Sequence, residues 1–374
     1  MKSSARRWWM VAGILLVVLV VLAPRRVYTP TVAIMPGGVV SESAALEWNS
    51  SDVVESVLLL GDSGDAVPAV WEPLVKHLQI IPDRTTVVMM GDNVYGFGIP
   101  PEDDPGYAEA ARRLSYQTDK LKAAGVRAVF IPGNHDWNAD RDGGLRAVER
   151  QEELVLKALG PGSFAPSNGC PGPATVHFSD RFQVIAIDSE WWLYQYEKPP
   201  LDGGACPQSD FAELSRDIAS ALQGGAPSAL RLLVMHHPLM SHGQHGEGSS
   251  CPGDSGCPPY REFRKQLFST LQNVEGVICA AGHDHILEVL RGAQGCDLFL
   301  VSGAASRPRG TRVASDTLYA LEQHGFMRID VTDKGERRLT VFAIDTGSGA
   351  VSPAYFKSLG IEKTPQLSSR QPPD

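Results

Sequence analysis

The 374-residue sequence lacks the excess of basic residues that binding to the phosphate backbone of nucleic acids requires. Lys and Arg number 34 against 43 Asp and Glu, which gives a net charge of −9 and a pI near 5.6. Proteins that neutralise many phosphates carry a basic patch or stripe, and the sequence has no such pattern. We therefore expect no nucleic-acid partner, although composition does not exclude a nucleic acid as a substrate.

The sequence also lacks any Cys-x-x-Cys pair of the kind that holds structural zinc. Its cysteines number six, and four of them lie in loops rich in Gly and Pro, where a thiol contributes little packing. An even count in such loops favours disulfides and an oxidising, extracytoplasmic compartment. Many pairings are open, but bridges that each bracket one loop or hairpin would be Cys170–Cys206, Cys251–Cys257 and Cys279–Cys296.

Residues 1–26 differ from the rest of the chain, because basic residues flank an uncharged, mostly aliphatic run at 8–23. A helix of this length falls slightly short of a ~30 Å hydrocarbon core, but Trp8, Trp9 and the flanking arginines suit the membrane interfaces. The residues before Pro24 form a poor cleavage site for a signal peptidase. We interpret the segment as an uncleaved signal anchor that contacts the membrane, with a cleaved signal peptide as the alternative.

The remainder of the chain divides by composition into three parts. Residues 27–51 contain Pro, Gly and Ser without periodicity and are interpreted as a spacer. No break in composition divides residues 52–350, so one catalytic domain is expected there. Residues 351–374 are polar and are interpreted as a loosely ordered C-terminal tail.

Aliphatic runs alternate with helical patterns in the catalytic domain, and the second half has the more antiparallel character. The predicted helices are at 67–79, 107–124, 209–222 and 259–273. The predicted strands are at 56–60, 85–90, 127–131, 174–178, 182–187, 230–235, 276–281, 286–290, 297–302, 325–331 and 338–344. This alternation predicts an α/β fold whose strands are buried on both faces.

Five segments share one design, in which an aliphatic strand ends and polar side chains suited to metal binding follow at once. Ligands bind beyond the carboxyl ends of strands in open α/β sheets, so these strand ends are expected to converge on one site. The segments are Gly61-Asp62-Ser63-Gly64, Gly91-Asp92-Asn93-Val94-Tyr95, Gly133-Asn134-His135-Asp136, Leu233-Val234-Met235-His236 and Gly282-His283-Asp284-His285.

The donor atoms of these segments indicate the metal and the reaction. Oxygen and imidazole donors without thiolates suit Zn, Fe or Mn, and a count near seven suits two ions. Two ions ~3.5–4 Å apart can clamp both the attacking and the leaving oxygen of a phosphoryl displacement. The sequence therefore predicts hydrolysis of phosphate esters at a binuclear metal site.

The five segments resemble those of the calcineurin-like metallophosphoesterases and, within them, the purple acid phosphatases. Other members of the superfamily usually carry Asp-x-His in the first segment and no tyrosine in the second. Here Gly64 occupies the position of that histidine, and Tyr95 supplies the missing donor. This paired exchange is specific, and over residues 56–304 the pattern is closest to the small mammalian-type enzymes. Leu233 replaces the usual valine of the fourth segment, an apolar exchange.

The resemblance implies a fold, a ligand set and a mechanism. The fold is a four-layer α/β/β/α sandwich of two mixed β-sheets flanked by helices. A metal-bound hydroxide is the implied nucleophile, His135 binds the phosphate and protonates the leaving group, and His245 assists, with His242 in the same loop as the alternative. The implied ligands are Asp62, Tyr95 and His285 for the first ion, Asn134, His236 and His283 for the second, and Asp92 as the bridge.

The expected function is hydrolysis of small phosphate monoesters. The tyrosinate implies Fe(III) in the first position, with Fe(II), Zn(II) or Mn(II) in the second. Phosphodiester or nucleotide hydrolysis at the same centre is one alternative, and an inactive metal-binding protein is another. Three sets of side chains keep two interpretations each. His237 either has a structural role or supports a ligand. Arg307, Arg309 and Arg312 face either the substrate or solvent, and Trp191 and Trp192 line either the cleft or the core.

Overall fold

The computed structural model describes residues 48–246 and 257–361. The predicted anchor, most of the spacer, Cys251 and the end of the C-terminal tail therefore lie outside the described residues. Within those two ranges, no helix has the length and apolar character needed to cross a membrane.

The described residues form thirteen strands and six α-helices. The strands are β1 (Val53–Leu60), β2 (Thr85–Met90), β3 (Arg127–Ile131), β4 (Ala174–Phe178), β5 (Phe182–Ala186), β6 (Leu230–Val234), β7 (Val277–Ala281), β8 (Leu287–Ala293), β9 (Cys296–Ser302), β10 (Thr317–Leu321), β11 (Gly325–Thr332), β12 (Glu336–Asp345) and β13 (Ala350–Ile361). The helices are α1 (Pro68–Leu78), α2 (Tyr107–Ala124), α3 (Gly144–Leu159), α4 (Ser189–Leu193), α5 (Phe211–Gln223) and α6 (Pro258–Leu271).

The strands form two mixed sheets. The first sheet has the order β13-β12-β11-β1-β2-β3, and the second has the order β10-β8-β9-β7-β6-β5-β4. β1, β2 and β3 are parallel in the first sheet, and β5, β6, β7 and β9 are parallel in the second. Such strands are covered on both faces, which explains their nearly continuous aliphatic sequences.

The alternation of side chains along each strand builds three apolar layers. In β1, Val57 and Leu59 point to the core between the two sheets, whereas Leu58 and Leu60 point to a second core under α1, α2 and α3. A third core lies between the second sheet and helices α5 and α6. The predicted α/β/β/α order of layers is therefore confirmed.

All eleven predicted strands and all four predicted helices are present, with small shifts at their ends. The elements α3, α4, β10 and β13 were not predicted. The interpretation of residues 351–374 as a loose tail is wrong as far as Ile361, because β13 pairs with β12 along its length. An edge strand buries only one face, so its polar sequence looks like that of a tail. Tyr355 of β13 stacks on Tyr319, with ring centroids 4.7 Å apart.

Two of the three predicted disulfides are confirmed. Cys170 is bonded to Cys206, and Cys279 is bonded to Cys296. The second bridge joins the neighbouring strands β7 and β9. The third predicted pair includes Cys251 and so falls partly outside the described residues.

A buried ion pair within β11 is contacted by Trp48, which lies in the segment before β1. Arg328 and Asp330 are both fully buried, and their side chains are 2.8 Å apart. The indole N–H of Trp48 donates to Asp330 at 2.8 Å, and its ring lies 4.7 Å from the guanidinium. Arg328 also donates to the hydroxyl of Thr85 at 3.0 Å. These contacts compensate much of the desolvation of the two charges, although Nη1 of Arg328 is buried without a hydrogen-bond partner among the described residues. Removing Asp330 would leave the charge of Arg328 uncompensated.

We predict that Asp330→Asn lowers the free energy of unfolding by about 3–5 kcal/mol, because the Arg328 charge stays buried without its counterion. Urea denaturation followed by far-UV circular dichroism measures the loss. Asp297→Asn on the exposed face of β9 is the matched control and should change the free energy by less than about 0.5 kcal/mol. Equal effects of the two substitutions would contradict a stabilising role for the buried pair.

Candidate metal centre

The five polar segments lie where the parallel strands of the two sheets end. Each of β1, β2, β3, β6 and β7 stops two or three residues before its first predicted ligand. Backbone hydrogen bonds connect these ends. The N–H of Asp62 donates to Gly91 at 3.0 Å, and the N–H of Gly282 donates to His236 at 3.0 Å. The polar segments that follow the strands of both sheets therefore lie next to one another.

Glycines allow the strand ends to approach this closely. A Cβ on Gly91 would lie 2.4 Å from an imidazole nitrogen, and a Cβ on Gly133 would lie 2.4 Å from the backbone N of Asp92. Asp62, Asp92 and His283 have φ angles of 60°, 52° and 66°. This left-handed conformation is costly for residues other than glycine and persists where the surrounding structure enforces it. Three of the predicted ligands are thus held in strained backbone positions.

The three residues predicted for the first ion contact one another. The Tyr95 hydroxyl lies 3.3 Å from Asp62 Oδ1 and 2.9 Å from His285 Nε2. His285 Nε2 is 3.5 Å from Asp62 Oδ1. The Nδ1–H of His285 donates to the backbone carbonyl of Arg307 at 3.0 Å. The lone pair of Nε2 is therefore directed toward Tyr95 and Asp62 and is available to a metal ion.

Gly64 has a steric reason to be glycine. A Cβ at this position would lie 2.5 Å from the backbone N of Tyr95 and 2.8 Å from the carbonyl oxygen of Asp92. A histidine at position 64 therefore does not fit beside this loop. The backbone fills that space, and the phenol of Tyr95 reaches the carboxylate of Asp62 instead.

The residues predicted for the second ion also lie together, with Asp92 next to them. His236 Nε2 is 3.0 Å from Asn134 Oδ1 and 3.3 Å from Asp92 Oδ1. The rings of His236 and His283 are 5.1 Å apart. Donor atoms of Asp62, Asp92 and His236 lie within 4.8 Å of one another. Asp92 is therefore located between the two groups of predicted ligands.

The electrostatics of the centre suit a bound cation. Burial raises the pKa of the Asp62 carboxyl, and the neighbouring Asp92 raises it further. Burial lowers the pKa of His283, whose Nε2 is buried without a hydrogen-bond partner among the described residues. A cation favours the carboxylate and the neutral imidazole together. The donor set of oxygens and imidazoles thus fits two ions of intermediate hardness.

Asp136 connects the second and third segments, a role that sequence reasoning missed. Its buried carboxyl accepts hydrogen bonds of 2.8–3.2 Å from the backbone N–H groups of Gly133, Asn93 and Val94. Burial and the nearby Asp92 raise the pKa of this carboxyl. The position of Asp136 in the Gly-Asn-His-Asp segment was the feature of the sequence that could have indicated this role.

His237 lies at the centre, whereas a continued strand would have turned it away. β6 ends at Val234, so the alternation of strand side chains does not reach His237. Its ring lies 4.4 Å from that of His283, and its Nδ1 lies 2.9 Å from the hydroxyl of Ser189. Its Nε2 is 3.6 Å from Glu190. The signal was present, because Ser189 and Glu190 follow β5 as the other polar segments follow their strands.

His135 lies at the edge of the centre, where its side chain is 33% exposed. Its Nδ1–H donates to the carbonyl of Gly96 at 2.9 Å, and its Nε2 is 3.9 Å from Asp92. The imidazole therefore faces both the centre and solvent, which is the position that a proton donor to a leaving group needs.

His245, rather than His242, lies beside the predicted ligands. Its ring is 4.8 Å from that of His283, and Arg309 donates to its Nε2 at 3.2 Å. His242 instead contacts Asp316 at 2.7 Å. Arg309, which was expected to face either substrate or solvent, thus contacts the centre through His245.

The comparison with protein families gives one match. The model of the family described as calcineurin-like phosphoesterase matches residues 56–287, a range that includes all five polar segments.

Curated relatives are distant. Purple acid phosphatase 17 of Arabidopsis thaliana is 24% identical over 231 residues, which cover 60% of this chain and 60% of the relative. Purple acid phosphatase 4 of the same plant is 22% identical over 262 residues, covering 67% of this chain and 68% of the relative. The alignment thus spans about three-fifths of the first relative's length.

Solved structures share the fold. They include GAP50, the anchor in the inner membrane complex of Plasmodium, with a TM-score of 0.55, 17% identity and coverage of 83% of this chain and 90% of that one. The purple acid phosphatase PPD1 from yellow lupin seeds has a TM-score of 0.52, 15% identity and coverage of 83% and 55%. PhoD has a TM-score of 0.55, 12% identity and coverage of 82% and 72%.

At these identities the solved structures show the fold alone. The family model, in contrast, matches more than half of the chain and includes the strand ends that converge on the candidate centre. The chain belongs to the calcineurin-like phosphoesterase family.

Proposed function

We propose that the chain is a phosphatase of the purple acid phosphatase type that hydrolyses phosphate monoesters at a binuclear metal centre. The observation that carries the proposal is the contact of the Tyr95 phenol with Asp62 and His285. This phenol takes the place of the histidine that other members of the family carry two residues after the first aspartate. The names of the distant relatives agree with this choice.

Two bound ions would neutralise the phosphoryl oxygens and lower the pKa of the attacking water. The protein side chains orient the reaction. Asp92, between the two groups of donors, fixes their separation. His135 is held by the hydrogen bond from Nδ1 to the Gly96 carbonyl, and in the imidazolium form its Nε2–H can donate to a phosphoryl oxygen and then pass its proton to the leaving oxygen. His245, beside His283, is proposed to assist in binding the phosphoryl group.

The alternatives use the same residues differently. A phosphodiesterase or nucleotide hydrolase would use the same metal centre and differ only in the residues that bind the leaving group. An inactive protein of this fold is a second alternative, and GAP50, which shares the fold, is described as an anchor. The presence of all seven predicted metal ligands supports an active enzyme over an inactive protein.

Location outside the cytoplasm is part of the proposal. Two disulfides among the described residues support an oxidising compartment. Residues 1–26 are proposed to anchor the chain in a membrane, and a small phosphorylated molecule rather than a nucleic acid is the proposed partner. We expect protease to digest the domain in cells whose outer layers have been opened while the cytoplasmic membrane stays closed; full protection until that membrane is lysed would contradict this location.

We predict that the protein hydrolyses 4-nitrophenyl phosphate faster than bis(4-nitrophenyl) phosphate. Asp92→Ala and Asn134→Ala each remove an oxygen donor and should lower kcat at least about 100-fold, since even residues outside the ligand set cost 10–100-fold. Asn273→Ala, at an exposed position after α6, is the control and should retain activity. Unchanged turnover in either donor variant, with circular dichroism confirming the fold, would remove the site assignment. Faster hydrolysis of the bis-ester would favour the phosphodiesterase.

Metal content and colour test the proposed Fe(III). Aerobically purified protein should contain about two metal ions per chain, at least one of them iron, and should absorb broadly in the middle of the visible range through phenolate-to-iron charge transfer. Tyr95→Phe should lose this band, whereas Tyr116→Phe, whose hydroxyl contacts Glu72 at the surface, should keep it. A colourless, fully active enzyme with two zinc or two manganese ions would contradict the ferric assignment.

A further inference from the structure

Beside the metal centre lies a cleft of about 860 Å³ that the proposed chemistry does not use. Its walls are the loop that follows Tyr95, the start of α2, the loop before α3 and the first turns of α3. Tyr95 and Gly96 belong to both places, because the Tyr95 phenol contacts Asp62 and the Gly96 carbonyl accepts a hydrogen bond from His135. The cleft therefore begins where the proposed acid for the leaving group lies.

The lining of the cleft is rich in arginine, although the chain as a whole carries a net charge of −9. Five arginines line it against three acidic residues. The arginines are Arg113, Arg141, Arg146, Arg150 and Arg307, and the acidic residues are Asp104, Glu109 and Asp142. An arginine that lacks a carboxylate partner can bind an anionic ligand in two parallel hydrogen bonds, so the pairing of each arginine decides whether the cleft accepts an anion.

Three of these arginines already have carboxylate partners. The pairs are Arg113 with Glu109, Arg146 with Glu149 and Arg307 with Asp65. Arg141 and Arg150 have no carboxylate partner within 4 Å in the parts of the chain that the structure describes. Asp104 and Asp142 also lie outside these pairs, and each of their carboxylates accepts a hydrogen bond from a backbone N–H group, of Gly106 and of Gly143. Arg141 and Arg150 are therefore the two guanidinium groups of the cleft that lack an anionic partner among the described residues.

Neighbouring groups hold both of these side chains in position. The guanidinium of Arg141 lies 3.8 Å from the centre of the Phe97 ring, and that ring is 46% exposed. The Nε–H of Arg150 donates to the backbone carbonyl of Ile99 at 2.8 Å, which leaves its terminal nitrogens for another acceptor. Guanidinium groups fixed in this way bind carboxylate and phosphate with little further loss of side-chain entropy.

We propose that this cleft binds the leaving group of the substrate and selects phosphate monoesters whose leaving group carries a second anion, a carboxylate or a phosphate. Arg141 and Arg150 bind the second anion, and the exposed ring of Phe97 contacts the carbon skeleton between the two anions. The inference rests on the proposed function, because the phosphoryl group that is hydrolysed lies at the metal centre.

The reaction itself is hydrolysis. A P–O bond to the water oxygen forms, the P–O bond to the leaving oxygen breaks, and a proton passes to that oxygen from the His135 imidazolium. The attacking water releases one proton to solvent, and His135 takes up one proton from solvent before the next turnover. The products are inorganic phosphate and an alcohol that retains its second anion. The arginines therefore affect binding and position and take no part in the proton transfer.

Binding of molecules that cannot be hydrolysed tests the cleft apart from catalysis. Titration calorimetry on the metal-loaded protein would compare alkylphosphonates with ω-phosphonocarboxylates of two to five carbons and with the matching bisphosphonates. At the best chain length we expect the second anion to tighten binding about tenfold, the effect of one charged hydrogen-bonded pair. The carboxylate and bisphosphonate series distinguish the two kinds of second anion.

The variants locate this preference. Arg141→Ala should remove most of the tenfold difference, and Arg141→Lys should restore part of it, since lysine keeps the charge without the planar fork. Arg216→Ala, on the exposed side of α5, is the control for a general change of charge and should leave the difference intact. Loss of the preference in Arg216→Ala to the same degree would overturn the assignment to Arg141.

Kinetics give a second readout. The ratio of kcat/KM for 3-carboxypropyl phosphate to that for butyl phosphate should fall about tenfold in Arg141→Ala, mainly through KM of the carboxylated ester. Equal binding of singly and doubly anionic phosphonates by the wild-type protein would overturn the inference and leave the proposed function standing. Failure to bind any phosphonate, together with absence of monoester hydrolysis, would overturn both.

Discussion

The structure of the centre depends on the close contact of strand ends from two sheets. The Cα of Gly282 would lie 3.0 Å from a Cβ on Gly61, so the two sheets approach with no room for a side chain between them. This contact brings Asp62 of the first sheet and His283 of the second to the same place, where the His283 N–H donates to the Asp62 carboxylate at 2.8 Å. Backbone geometry, rather than side-chain flexibility, sets the distances between the candidate ligands.

A set of hydrogen bonds outside the donor set orients the imidazoles. His236, His285 and His135 each donate through Nδ1 to a backbone carbonyl, at 2.9, 3.0 and 2.9 Å. Each bond fixes one tautomer and presents Nε2 to the centre, so the rings lose little entropy when they bind a cation. For His236 and His285 the unprotonated Nε2 suits a metal ligand, whereas His135 can act as a proton donor only as the imidazolium, with both nitrogens protonated.

The sequence predicted the parts of this structure that are local. A strand end followed by Asp62 or Asp92 is visible in a few residues, and parallel strands place such ends at one edge. The cleft could not be predicted, because Arg113, Arg141 and Arg307 come from distant parts of the chain and only the tertiary fold brings them together. β13 escaped prediction for a different reason, since an edge strand with one buried face lacks the continuous aliphatic run of the central strands.

Gly64 has a consequence for how such centres change during evolution. A side chain at this position collides with backbone atoms of Tyr95 and Asp92, not with a side chain that could rotate away. Replacing the tyrosine-containing site by a histidine-containing one thus demands a new path for the whole second loop, which also carries Asp92 and the carbonyl that supports His135. A histidine at position 64 is therefore compatible with this fold only if the loop that carries Asp92 and Tyr95 changes its path as well.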